Sequence, residues 1–297
     1  MSEMLPIRDI SQWELRDDEP QGKNEKSWYR EPDEERDWLF KPAARPGRDE
    51  SDGRNWAEKI AELLAVELDV PVAPVELAVR NGVMGTICLN MNPSGLPIQS
   101  GSALITADDK SFDPRARDSQ GHSASSIARA LTAIGVPLSF AGPRSLSSYD
   151  VFCGYLILDA LIANQDRHSQ NWSVVTTGGM RHLMESYDHG SSFGAGMDDA
   201  RRAMLLSDSA AFEGFLRRGK AARFERGRTM TLRAYASMSL ESAGPGVRDY
   251  WLERVIALND EQINATIDQT PQMSVVAANF VKKLVIAERE GLIDALS

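Results

Sequence analysis

Cysteine and histidine are scarce in this chain of 297 residues, which has two of the first and four of the second. Cys88 and Cys153 are too few for a disulfide framework and lack CxxC spacing. Both sit in apolar runs and read as buried thiols of a reducing compartment. Long apolar runs are missing too, since no stretch approaches the ~18 residues of a membrane helix. The N-terminal residues are polar and acidic, without an apolar signal core. Positive charge is in deficit, with 33 Lys+Arg against 43 Asp+Glu and a net charge of −10. That balance argues against direct nucleic-acid binding, which wants clustered Lys and Arg, but leaves room for a local basic pocket. Together these absences predict a soluble cytoplasmic protein, bacterial in style, with no membrane contact. There is no internal repeat and no low-complexity tract.

What is present is an ordinary globular composition, and the length suits two lobes with a cleft between them. The first part reads as strands with one helix. Ile10–Arg16, Ser27–Arg30 and Asp37–Pro42 are predicted strands. Asn55–Asp69 is a predicted helix, with Trp56, Ile60, Leu63, Leu64 and Leu68 on one face. Pro71–Arg80 and Val83–Met91 alternate as strands around Asn81-Gly82, a strong hairpin signal. The stretch 92–123 is rich in Gly, Pro, Ser and Asp, and 108–122 within it reads as a mobile loop. Helical patterns follow at Ser125–Ile134, at Ser148–Ala163 and from about Ala210 to Ala295. The expected organisation is a β-rich N-lobe, 1–95, and a mostly helical C-lobe, 96–297.

Chemistry concentrates in ANQDRHSQNWSVVTTGGMRHLMESYDHGSSFG, residues 163–194. An apolar helix enters a polar loop holding Asp166, Arg167, His168 and Asn171. The predicted strand Trp172–Thr176 follows, then Gly178-Gly179 as a tight turn, then the returning strand His182–Tyr187. With the two glycines as turn residues, Thr177 faces Met180 and Asn171 falls opposite Ser186. Asp188 then lies two residues further along, at the same end of the ribbon. Two carboxylates and an amide of this kind suit Mg²⁺ beside substrate phosphates. The layout is that of phosphoryl transfer: Asp166 handles the acceptor hydroxyl, while Asn171, five residues on, and Asp188 hold the metal. Lys41 closes a short strand, where it can steady phosphates. Glu58 and Glu62 share a face of the following helix, and either can pair with Lys41. Glu58 also matches a capping-box spacing from Asn55. The turn Gly22–Lys26, with Lys23, Asn24 and Lys26, sits where a phosphate-covering hairpin belongs.

These segments, DRHxxN at Asp166–Asn171, the later YDHG, and GKNEKSW…WLFKP…NWAEKIAELL, resemble the HipA-like serine/threonine protein kinases. The likeness spans about residues 20 to 290 and is most specific at DRHxxN. It implies an α+β, bilobal, protein-kinase-like fold with ATP and Mg²⁺ as cofactors. It implies Asp166 as catalytic residue, Asn171 and Asp188 as metal ligands, Lys41 as the ATP lysine and Gly22–Lys26 as the phosphate loop. Such kinases are often toxins held by a DNA-binding antitoxin-like partner, and their known targets include aminoacyl-tRNA synthetases. The chain resembles the shorter, core-only members, without the extra N-terminal subdomain of the larger ones.

Adenine contacts are expected near Asn90 and Met91, where the last N-lobe strand meets the linker. His168 is expected to order the loop beside the cofactor, and His189 to pack beside the metal site. The run Arg217, Arg218, Lys220, Arg223, Arg226 and Arg228 reads as a solvated helix and loop. The rivals are a small-molecule or lipid-headgroup kinase, a nucleotide-binding module without turnover, and a metal-dependent hydrolase using the His–Asp cluster.

Overall fold

A computed structural model describes residues 3–18, 26–43, 53–116 and 118–297. The first part is a six-stranded sheet of β1 (Ile7–Asp9), β2 (Glu14–Asp18), β3 (Ser27–Arg30), β4 (Asp37–Pro42), β5 (Val75–Arg80) and β6 (Val83–Leu89). Its order is β1-β5-β6-β4-β3-β2, antiparallel except for β1 beside β5. Asn81 and Gly82 both take positive φ, 49° and 79°, which gives the primed turn that Asn-Gly favours. Arg80 accordingly pairs with Val83.

Alternation along β4 sets the direction of its lysine. Trp38 and Phe40 enter a small core with Ile10, Tyr29, Ala78 and Ile87. The period of two then sends Leu39 and Lys41 to the opposite face, toward helix α1 (Arg54–Glu67). That helix buries Trp56, Ile60 and Leu64, which join the core of the helical part. Each such side chain contributes roughly 1.5–3 kcal/mol when fully buried. The N-cap is Gly53, with no side-chain cap, so Glu58 is not a capping-box partner.

After the sheet come β7 (Ile98–Ser100), α2 (Gly101–Asp108), α3 (Ala124–Ala130) and α4 (Ser148–Leu161). Helix α4 is buried along its whole length and forms the axis around which the C-terminal part packs. A helix apolar on all sides has no solvent face to offer. Its start is a capping box of Ser147 and Asp150. Strands β8 (Ser173–Thr177) and β9 (Met180–Leu183) make a three-stranded sheet with β7. Helices α5 (Asp199–Ser207), α6 (Ser209–Arg218), α7 (Leu232–Ser239), α8 (Val247–Ala257), α9 (Asp260–Asp268) and α10 (Val275–Leu296) complete the chain. No helix among the described residues is long and apolar enough to cross a membrane.

Several expectations shift. The predicted strand Ile10–Arg16 overlaps only β2, and its first four residues are the turn that joins β1 to β2. The stretch 92–123 contains β7 and α2, which its small polar residues conceal. Beyond Asp108, the last residue of α2, the described residues of the predicted mobile loop 108–122 form no regular element but are tied down. Phe112 and His122 are buried, and Gly121 N–H donates to Glu225 Oε2 at 2.8 Å. Cys153 is buried as expected, whereas Cys88 is half-buried.

Candidate active site

Lys41, Glu58 and Asp188 come from three separate segments and meet at one point. Lys41 Nζ donates to Asp188 Oδ1 at 3.0 Å. Glu58, buried on α1, accepts the backbone N–H of His189 at 2.9 Å through Oε1. The glutamate therefore braces the D-H-G turn, and its charge acts on Lys41 from there. Glu62 instead holds Lys59, at 2.7 Å, which separates the two candidates. Burial works against the Lys41 ammonium, but Asp188 and Glu58 more than offset it and hold its pKa above the ordinary lysine value. Lys41 in turn holds the Asp188 carboxyl well below the usual range against burial, with Lys26 adding to the effect. Burial pushes the neighbouring Cys88 thiol up to about 11, so it stays protonated.

Asp188 has φ of 65°, a left-handed conformation that costs a non-glycine residue free energy. The Lys41 pair and the Glu58 bond to the next N–H hold it there. His189 is fully buried, and burial, then Arg167, push its pKa down to about 3. Its Nε2 lies 2.8 Å from Ser186 Oγ, so it is a packed neutral ring under the turn.

Arg167 ties the loop that carries Asp166 and Asn171 to its surroundings. It forks onto Asp159 at the end of α4, with both bonds at 2.8 Å. It also donates to Asn171 O at 2.9 Å and to Ser186 Oγ at 2.8 Å. The predicted register of the ribbon is present, from Thr177 opposite Met180 to Val174 opposite Leu183. The ladder does not continue to Asn171 and Ser186; Arg167 joins those two instead. These bonds make Arg167 structural, and Asp159, set in the apolar second half of α4, was the overlooked signal.

Asn171 Nδ2 donates to Asp166 O at 2.8 Å, which fixes the amide and leaves Oδ1 without a partner among the described residues. Asp188 keeps its second oxygen beyond the one that takes Lys41. Oxygen donors of this type fit Mg²⁺ with phosphate. The Asp166 carboxylate is engaged by Arg223, whose Nε and Nη2 reach Oδ1 at 2.9 and 2.6 Å. The reading of the basic run as a solvated helix and loop holds for Arg217, Arg218, Arg223, Arg226 and Arg228, all exposed, and Arg223 in addition reaches Asp166. His168 Nδ1 accepts the N–H of Gln170 at 3.2 Å, the loop-ordering bond expected of it. Asn90 and Met91 follow β6, where Asn90 N–H donates to Asp37 O at 2.9 Å. Gly22, Lys23 and Asn24 lie outside the described residues. Among the described residues no three His, Cys, Asp or Glu side chains gather as a metal cluster, so the His–Asp hydrolase reading loses its donor set.

No protein-family profile and no curated protein matches the chain. Solved structures do. The proinflammatory kinase CtkA of Helicobacter pylori superposes with a TM-score of 0.74 at 14% identity, over 98% of this chain and 97% of that one. A second match is the Shewanella oneidensis MR-1 toxin–antitoxin system of HipA, HipB and operator DNA. It gives a TM-score of 0.59 at 15% identity, over 99% of this chain and 69% of that one. The β-sheet followed by a mostly helical part is thus the fold shared with the kinase CtkA and with HipA.

Proposed function

We propose that the chain is an ATP-dependent kinase that transfers the γ-phosphoryl group to a Ser or Thr hydroxyl of a protein. The observation that carries the reading is the Lys41–Asp188 contact at 3.0 Å, braced by Glu58, with Asp166 and Asn171 on the adjoining loop. A fold shared with a kinase makes this constellation more than a chance cluster. ATP would lie between the N-lobe, 1–95, and the C-lobe, 96–297. Lys41 binds and orients its phosphates, with Lys26 adding positive charge nearby. Asn90 and Met91 border the adenine end. Asn171 and Asp188 would hold Mg²⁺, which supplies charge neutralisation on the phosphates when bound. Asp166 orients the acceptor hydroxyl and takes its proton as the oxygen–phosphorus bond forms and the bond to ADP breaks. Catalysis of this type is almost wholly positioning and electrostatics.

The fold shared with HipA, seen with HipB and operator DNA, supports a role as the toxin of a toxin–antitoxin pair. The partner would be a DNA-binding protein and the target a translation component such as an aminoacyl-tRNA synthetase. The test is transfer of labelled γ-phosphate from ATP and Mg²⁺ to proteins of a bacterial lysate, beside Asp166→Ala. A labelled protein that disappears with the variant supports the reading. Label only on small hydroxyl compounds would move the activity to a small-molecule kinase. Tight ATP binding without any transfer would leave a nucleotide-binding module.

A further inference from the structure

The loop carrying Asp166 borders, through His168 and Ser169, a cleft of about 310 Å³. Phe112, Arg115, His168, Ser169, Arg223 and Arg228 line it. Three guanidinium groups thus gather there with the Asp113 carboxylate, next to Asp166, in a chain whose net charge is −10. The acidic groups nearby are turned to local bonds. Asp113 Oδ1 takes the N–H of Arg115 at 2.9 Å, and Glu225 Oε2 takes that of Gly121 at 2.8 Å.

Arg223 is fixed at its backbone and exposed at its tip, where Asp166 is its partner. Its carbonyl accepts from His122 Nδ1 at 2.6 Å, and the Phe224 ring stacks on His122 at 4.7 Å. Its side chain is 51% exposed, and that of Asp166 is 34% exposed. An ion pair so open to water holds weakly and exchanges partners. Asp166 cannot receive a hydroxyl well while two N–H groups crowd one of its oxygens. An anion entering the cleft would give Arg223 a bidentate partner of equal quality.

Building on the kinase reading above, we infer that this cleft recognises the acceptor. Its ligand is a polypeptide segment with an acidic group, carboxylate or phosphate, close to the reacting hydroxyl. Capture of that group by Arg223, with Arg115 and Arg228, releases Asp166 for the hydroxyl. Arg223 is then both specificity determinant and gate.

The test begins with the sites that the full-length protein labels in a lysate, mapped against Asp166→Ala. Peptides of the strongest site follow, with native flanks, with flanking acidic residues replaced by Ala, and with one of them replaced by phosphoserine. Native flanks should be acidic, and the Ala peptide should lose about tenfold in kcat/KM, near one charge-assisted bond. The phosphoserine peptide separates phosphate from carboxylate as the preferred anion. Arg223→Ala should lower transfer to the native peptide and raise it to the Ala peptide, an inversion that mere structural damage does not produce. Arg115→Glu should lower only the acidic substrates. Sites without acidic flanks, or equal rates for the native and Ala peptides, overturn the inference and leave the kinase reading standing. No transfer to any protein removes that reading and the inference with it.

Discussion

Two aspartates in this molecule each carry one cation, and the two pairs are built differently. Asp188 meets Lys41 in a setting fixed by a strand, a helix and a strained turn. Asp166 meets Arg223, which reaches in from the loop between α6 and α7 and stays half exposed. The first pair has Glu58 behind it, and its partners perturb each other's proton affinity strongly. The second is an open surface contact. A fixed cation suits phosphates that must sit in one place. A loose cation suits an acceptor that comes and goes. On the proposed kinase reading, the contrast separates a nucleotide end of the site from an acceptor end.

The sharpest way to break the contrast is at the fixed pair. Lys41→Met should lower phosphoryl transfer about 10³-fold, as loss of a pre-placed charge does in other sites, while circular dichroism stays native. Next in size is the anchor that both ends share. Asp159→Ala strands the buried Arg167 charge and should cost about 3–5 kcal/mol in urea unfolding, because an uncompensated interior charge is worse than none. At the loose pair, Arg223→Ala should change stability by less than about 1 kcal/mol by the same measurement. A large loss there would show that Arg223 is structural and the contrast wrong.

A smaller effect concerns pH. His122 donates from Nδ1 to Arg223 O and accepts from Trp172 at Nε2, so its neutral form is required. Burial pushes its pKa down to about 4 from the ordinary 6.5. The unfolded chain therefore binds the proton first as pH falls, and folded stability drops between pH 6.5 and about 4. His122→Gln should flatten that slope in melting curves taken across the window. An unchanged slope would mean that His122 is not the group responsible.

Much of this was legible in the sequence because local signals agreed. Asn81-Gly82 and Gly178-Gly179 announced their hairpins, and the second fixed the register of β8 on β9. Lys41 at the end of an alternating strand and Glu58 on the next helix were found by position. Glu58 over Glu62 was not decidable, since two residues on one helix face differ only in what packs opposite. Helix α2 was hidden because Gly101 and Ser102 at its start read as loop. The Arg223–Asp166 contact joins residues 57 apart, and the Arg167 fork needs Asp159 to be buried. No local pattern encodes either, because both arise from how α4, the loop and the α6–α7 connection pack.

The central claim is the division of labour between Asp188 and Asp166, and binding of ATP and Mg²⁺ by calorimetry tests it most directly. Asp188→Ala should weaken that binding by tenfold or more, by loss of a charged metal ligand and of the partner that orients Lys41. Asp166→Ala should bind ATP as the parent chain does and yet transfer no phosphate. Equal loss of binding in both variants, or continued transfer by Asp166→Ala, would contradict the account.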